Sequence, residues 1–464
     1  MKFATDGEEA VQWGLVHIEL RRASFTGVQA TLIIFRAENG NLSNYPGPRI
    51  SKYTDLVAKY HFLSGDRPVY VHKLHEKYGP VVRISPYELD ISEIYAVKEI
   101  HRVGGHYRKS DFYRSIRHRS IRTLFSTTNP QHHVVRRRLL SAGMAHTLAT
   151  LVRLTIKQMD DEMSRRGAVD VFKWWTFMAT DVIGELGFGQ SFQTLEHGEK
   201  TQYVKNLENV SSFMAIRVIF PTLIAYSALL PIPLFKRVQE AGRRMAQYAH
   251  QAIRNYQSVI EKNPDNPKKT LFTKMFNGGP EGLEFQEIIP EAGGYIVAGS
   301  DTTAITLTYL VWAVCRKPLI RDKLVAEVSA LPPDVTQDSV RDLPYLNQVI
   351  QEALRIHSAV PSALPRAAPP EGASLAGYRI PGGVTVSTQA YTLHRNPDVF
   401  PNPHIFNPSR WENPSKEMKH VFMPFGGGSR SKPPFKRLFS TTCNYPILPN
   451  IPKSKGFGEG GNVR

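Results

Sequence analysis

Cysteine is scarce in this chain: Cys315 and Cys443 are the two thiols in 464 residues. Two cysteines cannot build a disulfide framework, and no paired CxxC or HExxH spacing offers a zinc site. A reducing or cytosol-facing compartment is therefore expected. Long apolar runs are few as well. In residues 1–44 the longest is 30–35, and Glu8, Glu9, Glu19, Arg21 and Arg22 interrupt the rest, which reads as neither a signal peptide nor a spanning helix. Residues 214–235 hold one charge, Arg217, but Pro221, Pro231 and Pro233 break the backbone pattern that a lipid-exposed helix needs; an interfacial or buried hairpin is expected. Residues 292–314 carry Asp301, Thr302 and Thr303 near their middle. An aspartate at the centre of a membrane helix costs about 2.5–3.5 kcal/mol, so a core helix with a polar feature is expected there.

Acids are outnumbered, with 41 Asp+Glu against 58 Lys+Arg and a formal charge of +17. That charge suits nucleic acid, anionic lipid or an acidic protein surface equally. The bases gather at Arg114, Arg117, Arg119 and Arg122 with His118, and in the run Arg136, Arg137, Arg138. Neither group is interleaved with stacking aromatics or joined to a nucleic-acid motif, so a solvated basic face is expected and no nucleic-acid partner.

With 41% hydrophobic and 21% charged residues the chain has the profile of a folded globular protein. NYPGP at 44–48 is a rigid, extended turn that separates a poorly patterned segment, 1–44, from the body. Helical spacing of apolar residues runs through 70–78, 145–165, 172–187, 236–261, 322–329 and 346–357. The β-like runs are 81–84 and 377–388, the second holding the turn Pro381-Gly382-Gly383 between two apolar pieces. The class is mainly α with minor β, without internal repeats. After Arg430 helical periodicity ends and prolines, glycines and bases dominate; residues 431–464 read as a tail that does not fold alone.

Three constellations carry chemistry. Pro290 suits a helix start and Pro318 forces a stop, giving a helix of roughly 40 Å at 1.5 Å per residue. Within it, Ala298-Gly299-Ser300-Asp301-Thr302-Thr303 follows Gly293 and Gly294. Interior glycines cost about 1 kcal/mol each relative to alanine, so either tight helix packing or a flat ligand lying against Ala298 and Gly299 explains them. In the second case Asp301 and Thr302 supply a carboxylate and a hydroxyl at a widened turn, able to hold water and pass protons. Next, Glu352 and Arg355 form an ExxR pair on one helix face. It could be a routine surface ion pair, but the proline-punctuated coil that follows, 394–411, has little secondary structure to fix it. Arg410 reaching a buried Glu352–Arg355 pair would lock it. Third, the segment 422–430, FMPFGGGSR, is an aromatic, glycine-rich turn ending in Arg430.

Taken in order, the YPGP hinge, the AGSDTT helix centre, the EALR pair, the coil PDVFPNPHIFNPSRW and the FGGGSR turn resemble a cytochrome P-450 over residues 45–430, fungal microsomal members above all. The resemblance implies a mainly helical P-450 fold and a haem-dependent monooxygenase that inserts one oxygen atom from dioxygen into a small lipophilic substrate. Electrons would come from NADPH through a partner, cytochrome P-450 reductase, docking on a basic face. By the same resemblance Asp301 and Thr302 relay protons during oxygen activation. His133, Arg137, Arg366 and Arg430 hold haem propionates, whose charge an arginine matches. Ala298, Gly299 and Phe425 line the cofactor, and Glu352, Arg355 and Arg410 hold the scaffold beneath it. Residues 214–235 resemble a membrane-dipping substrate entrance. The implied location is the cytosolic face of the endoplasmic reticulum membrane, or the cytoplasm.

The resemblance fails at one place. The family pattern FxxGxRxCxG is met by Phe425, Gly428 and Arg430, but Lys432 stands where the axial cysteine belongs and Pro434 where the glycine belongs. A thiolate donates electron density that favours O–O cleavage; a lysine amine is normally protonated. Cys443 lies eleven residues further on, in the tail, and Cys315 reads as a small buried hydrophobe. The helix and strands that follow the cysteine in the family are missing too, so the fold is expected to be C-terminally incomplete and activity impaired. A shifted reading frame or a retained intron would produce such a tail. The alternative is a catalytically inactive, haem-free relic or binding protein.

Overall fold

The computed structural model describes residues 27–116, 122–139, 148–200, 202–226, 232–262, 270–277, 282–332 and 337–427. In chain order the elements that position the site are α1 (Arg67–Tyr78), β1 (Val81–Ser85), β2 (Glu88–Ile91), α2 (Ile94–Ile100), β3 (Arg108–Lys109), α3 (Pro130–Leu139), α4 (Leu148–Arg166), α5 (Val171–Phe188), α6 (Gln202–Ile219), α7 (Pro233–Lys262), α8 (Phe285–Cys315), α9 (Pro318–Ser329), α10 (Pro344–Ile356), β4 (Arg366–Ala367), β5 (Ala373–Leu375), β6 (Tyr378–Ile380) and β7 (Thr385–Ser387). The mainly helical class with a minor sheet region is the observed one.

A helix that is apolar on all sides must be wrapped by others. Helix α5 is such a helix, buried from Trp174 and Trp175 through Phe177 and Ile183 to Phe188. It packs along α8. Their shared core also takes in α4, α7 and α10 through Val152, Ile253 and Val349. Helix α5 begins where the Asp170 side chain accepts from the backbone N–H of Lys173 and ends at Gly189 in the left-handed conformation, φ 72°, the commonest way to stop a helix without a steric penalty.

Helix α8 spans 31 residues and carries Pro290 inside it, so the expected start at that proline is corrected by one and a half turns. Proline lacks the N–H that would bond the carbonyl four residues back. Here only the carbonyl of Gln286, in the first turn, loses a partner, while Phe285 packs edge-on against His250 of α7, with ring centroids 5.2 Å apart, and Ile288 is fully buried. Packing outweighs one missing bond. The far end differs as well: Cys315 is exposed, because its neighbours Ala313 and Val314 take the core face, so the expectation of a buried thiol is not met.

Five strands form one sheet in the order β1-β2-β7-β4-β3, and β5 and β6 form a separate pair. Strand β2 runs parallel to β7, and β4 is antiparallel to both β7 and β3. The turn 381–383 therefore leads from one sheet to the other and does not close a hairpin. A second core cluster fills this region, with Leu89, Ile91, Ile100, Ile380 and Val386. Residues 27–39 are helical, and the chain after them is tied to the sheet by the Arg83 guanidinium, which donates to the carbonyls of Leu42, Ser43 and Tyr45 at 2.8, 3.2 and 2.7 Å.

Around 214–235, α6 ends at Ile219, a short helix spans Pro221–Ala225, and α7 starts at Pro233. Phe220, Leu223, Tyr226, Ile232 and Leu234 are exposed. No helix among the described residues is long and apolar enough to cross a membrane.

Candidate functional site

Three groups of residues matter, and each is held by a different part of the fold. The first is the middle of α8. Ala298, Asp301 and Thr302 are half-buried, whereas Gly299 and Ser300 are buried. The Thr302 hydroxyl donates to the Ala298 carbonyl at 2.7 Å, and Thr306 and Thr308 repeat the bond to Thr302 and Ala304 at 2.9 and 2.8 Å. Such back-bonding bends a helix slightly. The helix is otherwise continuous from Phe285 to Cys315, so the widened turn expected at Asp301 is absent and the Thr302 hydroxyl is engaged within the helix.

Two turns earlier, Glu291 lies on the same face of α8 as Ala298. Its carboxylate accepts from the Leu124 backbone N–H at 2.7 Å and from Arg136 Nη1 at 2.9 Å, while Arg136 Nη2 donates to Glu287 at 2.7 Å. Arg136 thus joins α3 to α8. His133, buried, and Arg137, half-buried, are four residues apart on one face of α3.

The second group lies at the end of α10. Glu352 and Arg355 are fully buried, joined by bonds of 2.8 Å from Nε and 2.8 Å from Nη2. Arg410 Nε and the backbone N–H of Asn407 donate to Glu352 Oε1 at 3.1 and 2.9 Å, and Trp411 Nε1 donates to Oε2 at 2.9 Å. The remaining donors of Arg355 reach the carbonyls of His394 and Pro403 at 2.6 and 2.7 Å. His394, not anticipated from the sequence, completes the joint: Nδ1–H donates to the Arg355 carbonyl at 2.9 Å and Nε2 accepts from the Met423 N–H at 3.0 Å. Burial first, then the neighbouring arginines, push its pKa down to about 3, which keeps the imidazole neutral. The turn 423–427 is thereby fastened to α10, and Phe425 packs on the main core.

The third group sits where that turn meets the sheet. Arg366 of β4 and Lys109 of β3 are register partners, 5% and 8% exposed. Arg366 Nη1 donates to the Tyr113 hydroxyl at 3.1 Å and the Pro365 carbonyl at 3.2 Å. Among the described residues no carboxylate pairs with it. The Lys109 ammonium reaches the Phe125 carbonyl and lies 4.5 Å from the Tyr113 ring centroid. His101 contacts Thr388 through Nε2 at 2.7 Å, and its buried Nδ1 has no partner; burial, then the charge of Arg366, push its pKa down to about 3. Gly427 lies against this imidazole, since a Cβ there would stand 2.6 Å from His101 Cβ. Like charges facing each other across two strands are destabilising, and a buried charge without a counter-charge costs several kcal/mol. The arrangement suits a ligand that carries carboxylates, as a haem does.

Arg430, Lys432 and Cys443 lie outside the described residues; the sheet and α8 form the described sides of the cradle. On those sides the donor set fits a dianionic, flat cofactor.

The comparisons with known proteins agree with this geometry. The family model "Cytochrome P450" matches residues 54–431. The chain is 54% identical over 409 residues to the cytochrome P450 monooxygenase tazI of Aspergillus terreus, covering 86% of this chain and 84% of that protein. It is 44% identical over 409 residues to the monooxygenase orf2 of Aspergillus niger, covering 86% and 83%. The cytochrome P450 monooxygenase aflV of Aspergillus parasiticus shares 33% over 410 residues, covering 84% and 80%. With more than half of its length matched by the family model and relatives of up to 54% identity, the chain belongs to the cytochrome P450 family.

Proposed function

We propose that this chain has the substrate chamber and haem cradle of a fungal secondary-metabolism monooxygenase that oxidises a small lipophilic molecule, and that its activity is impaired. The observation that carries the cofactor part is the buried Arg366 guanidinium, which meets only neutral acceptors among the described residues. Arg366, with Arg137, His133 and Arg430, would hold the haem propionates by charge-assisted bonds, and Ala298 and Gly299 would leave room for the flat ring beside α8. Bound haem would supply the redox chemistry that activates dioxygen, with electrons from NADPH through a reductase docking on the basic face.

Asp301 and Thr302 are the groups on α8 able to hold and pass protons at that face. The Thr302 hydroxyl is committed to the Ala298 carbonyl at 2.7 Å, so donating elsewhere breaks that bond by rotation about Cβ–Oγ1, while its oxygen can accept without breaking it. Phe220, Leu223 and Leu234, exposed together, support contact of this segment with a membrane surface.

Impairment rests on Lys432. The family match stops at residue 431, one position before it. A lysine amine does not fit the ligand position: protonated it has no lone pair, and neutral it lacks the electron donation of sulfur. The same observation favours the second reading, a haem-free relic that binds a ligand without oxidising it. Reducing the purified full-length chain under carbon monoxide distinguishes the cases. A haem band without the thiolate-type Soret feature is expected. A thiolate band overturns the impairment, and no haem absorption at all overturns the cofactor assignment in favour of the relic.

A further inference from the structure

Arg217 is the one charge in the apolar stretch 214–235, and none of the groups above uses it. It sits near the end of α6, half-buried, beside a small apolar cluster of Ile224, Phe235 and Val238 on which Phe213 and Ile216 pack. Its guanidinium reaches across to α7: a Cβ at Gly242 would lie 3.4 Å from Arg217 Nη2. A glycine inside a long helix costs about 1 kcal/mol relative to alanine, and here it leaves the space that the arginine tip takes.

The other shielded arginines show what is missing. Arg83 gathers backbone carbonyls, Arg136 holds two carboxylates, Arg355 holds Glu352, and Arg395 donates to the Ile356 and Tyr391 carbonyls. Arg217 makes no hydrogen bond or ion pair with any described residue, and its pKa is lowered by burial with no neighbouring acid to oppose the effect. A half-buried guanidinium whose donors are left to water gains a charge-assisted hydrogen bond when a ligand oxygen reaches it. The ligand body must be apolar to lie beside Phe213, Ile216 and Val238.

We propose that Arg217 recognises an oxyanion, a carboxylate or an ionised phenol, carried by the lipophilic substrate as it lies between α6 and α7. The inference rests on the reading that the chain takes a small lipophilic substrate, and narrows that class to lipophilic acids. A membrane phospholipid carries the same chemistry, but the tip of Arg217 lies against α7 at Gly242, whereas the exposed apolar residues of this segment are Phe220, Leu223, Ile232 and Leu234. The substrate is therefore the assigned source.

The test uses the full-length chain, dodecanoate and 1-dodecanol, two probes of equal chain length that differ in charge, with binding followed by calorimetry at pH 7. A charge-assisted hydrogen bond contributes about 1.5–3 kcal/mol, so wild type should bind dodecanoate at least about tenfold more tightly than the alcohol. Arg217→Gln should reduce the preference to within about twofold, and Arg217→Lys should keep part of it. The half-exposed site and the similar helix propensities of Arg, Gln and Lys keep the fold intact, which circular dichroism verifies. Equal affinities in wild type, no dodecanoate binding, or an undiminished preference in Arg217→Gln overturns the proposal. So does a requirement for Arg217 seen only with vesicles of phosphatidylcholine containing phosphatidylserine, which would assign the anion to lipid. Haem content is read separately by absorbance: a haem-free chain that prefers dodecanoate leaves this inference standing and removes the monooxygenase reading, and a haem-loaded chain without the preference does the reverse.

Discussion

Arg355 and Arg366 are eleven positions apart, both shielded from water, and their surroundings are opposite. Arg355 has a carboxylate and backbone carbonyls for its donors, and Glu352 is in turn saturated by Arg410, Trp411 and Asn407. Arg366 has a phenol, carbonyls and a facing lysine. The first site is complete in that the donors of Arg355 meet a carboxylate and backbone carbonyls. The second is incomplete in that, among the described residues, Arg366 meets no carboxylate. Whether a buried guanidinium meets a carboxylate separates an arginine of the frame from a candidate ligand site.

The sharpest way to break this contrast is to remove the acid from the complete site. Glu352→Ala leaves Arg355 as an uncompensated charge at zero exposure, and should cost about 3–5 kcal/mol, read as a shift of the urea midpoint at constant slope. Loss of under about 1 kcal/mol would mean that the joint is not architectural.

Acid should attack the same joint through His394. Its folded pKa, about 3, lies below the ordinary imidazole value of 6.5. Between those values the unfolded chain binds the extra proton, so the stability tied to His394 is complete above pH 6.5 and falls by about 1.4 kcal/mol per pH unit as the pH drops toward 3. His101 and His357, pushed down to about 3 and about 4 by burial, act in the same sense. Asp90 and Asp181, raised by burial, act in the opposite one. Comparing wild type with His394→Gln isolates the term: the variant, already weaker at pH 7, should lose less on going to pH 5. Parallel pH profiles would remove His394 from the account.

The incomplete site should respond in the reverse direction. In chain free of haem, Arg366→Met removes a buried charge that faces Lys109 and loses hydrogen bonds to neutral acceptors, so unfolding free energy should be unchanged or rise by up to about 2 kcal/mol. Any haem uptake measured by absorbance should fall in the same variant. A loss of about 3 kcal/mol or more in haem-free protein would show that Arg366 is architecture like Arg355.

The sequence disclosed these two sites unequally. The helices were legible because their apolar stripes recur at helical spacing, and α5, α7 and α10 lie within a few residues of their expected ranges. Glu352, Arg355 and Arg410 could be paired in advance because a coil full of proline needs an anchor and few groups can provide one. Lys109 and His101 were not visible. Each acts through a partner remote in sequence, Arg366 and Thr388, and strands of two or three residues such as β3, β4 and β7 carry too short a pattern to announce their pairing. The start of α8 was displaced because a proline suits both the first turn of a helix and, where packing is strong enough, its second. Arg136 was hidden among three consecutive arginines, since helix phase alone does not say which of them faces Glu287 and Glu291.

The smallest expected effect concerns the side of the cradle formed by α8. Thr302 is half-buried and its hydroxyl bonds within its own helix. Alanine removes a bond that competes with the helix only weakly and adds helix propensity, so Thr302→Ala should change stability by no more than about 0.5 kcal/mol. That near-neutrality is informative. A residue whose removal leaves stability unchanged can be judged on chemistry alone, and in any preparation that binds haem the ratio of product formed to oxygen consumed should fall in this variant. An unchanged ratio would confine Thr302 to the helix and leave Asp301 as the group on α8 that handles protons. A loss of about 2 kcal/mol would instead class Thr302 with Glu352, as part of the frame.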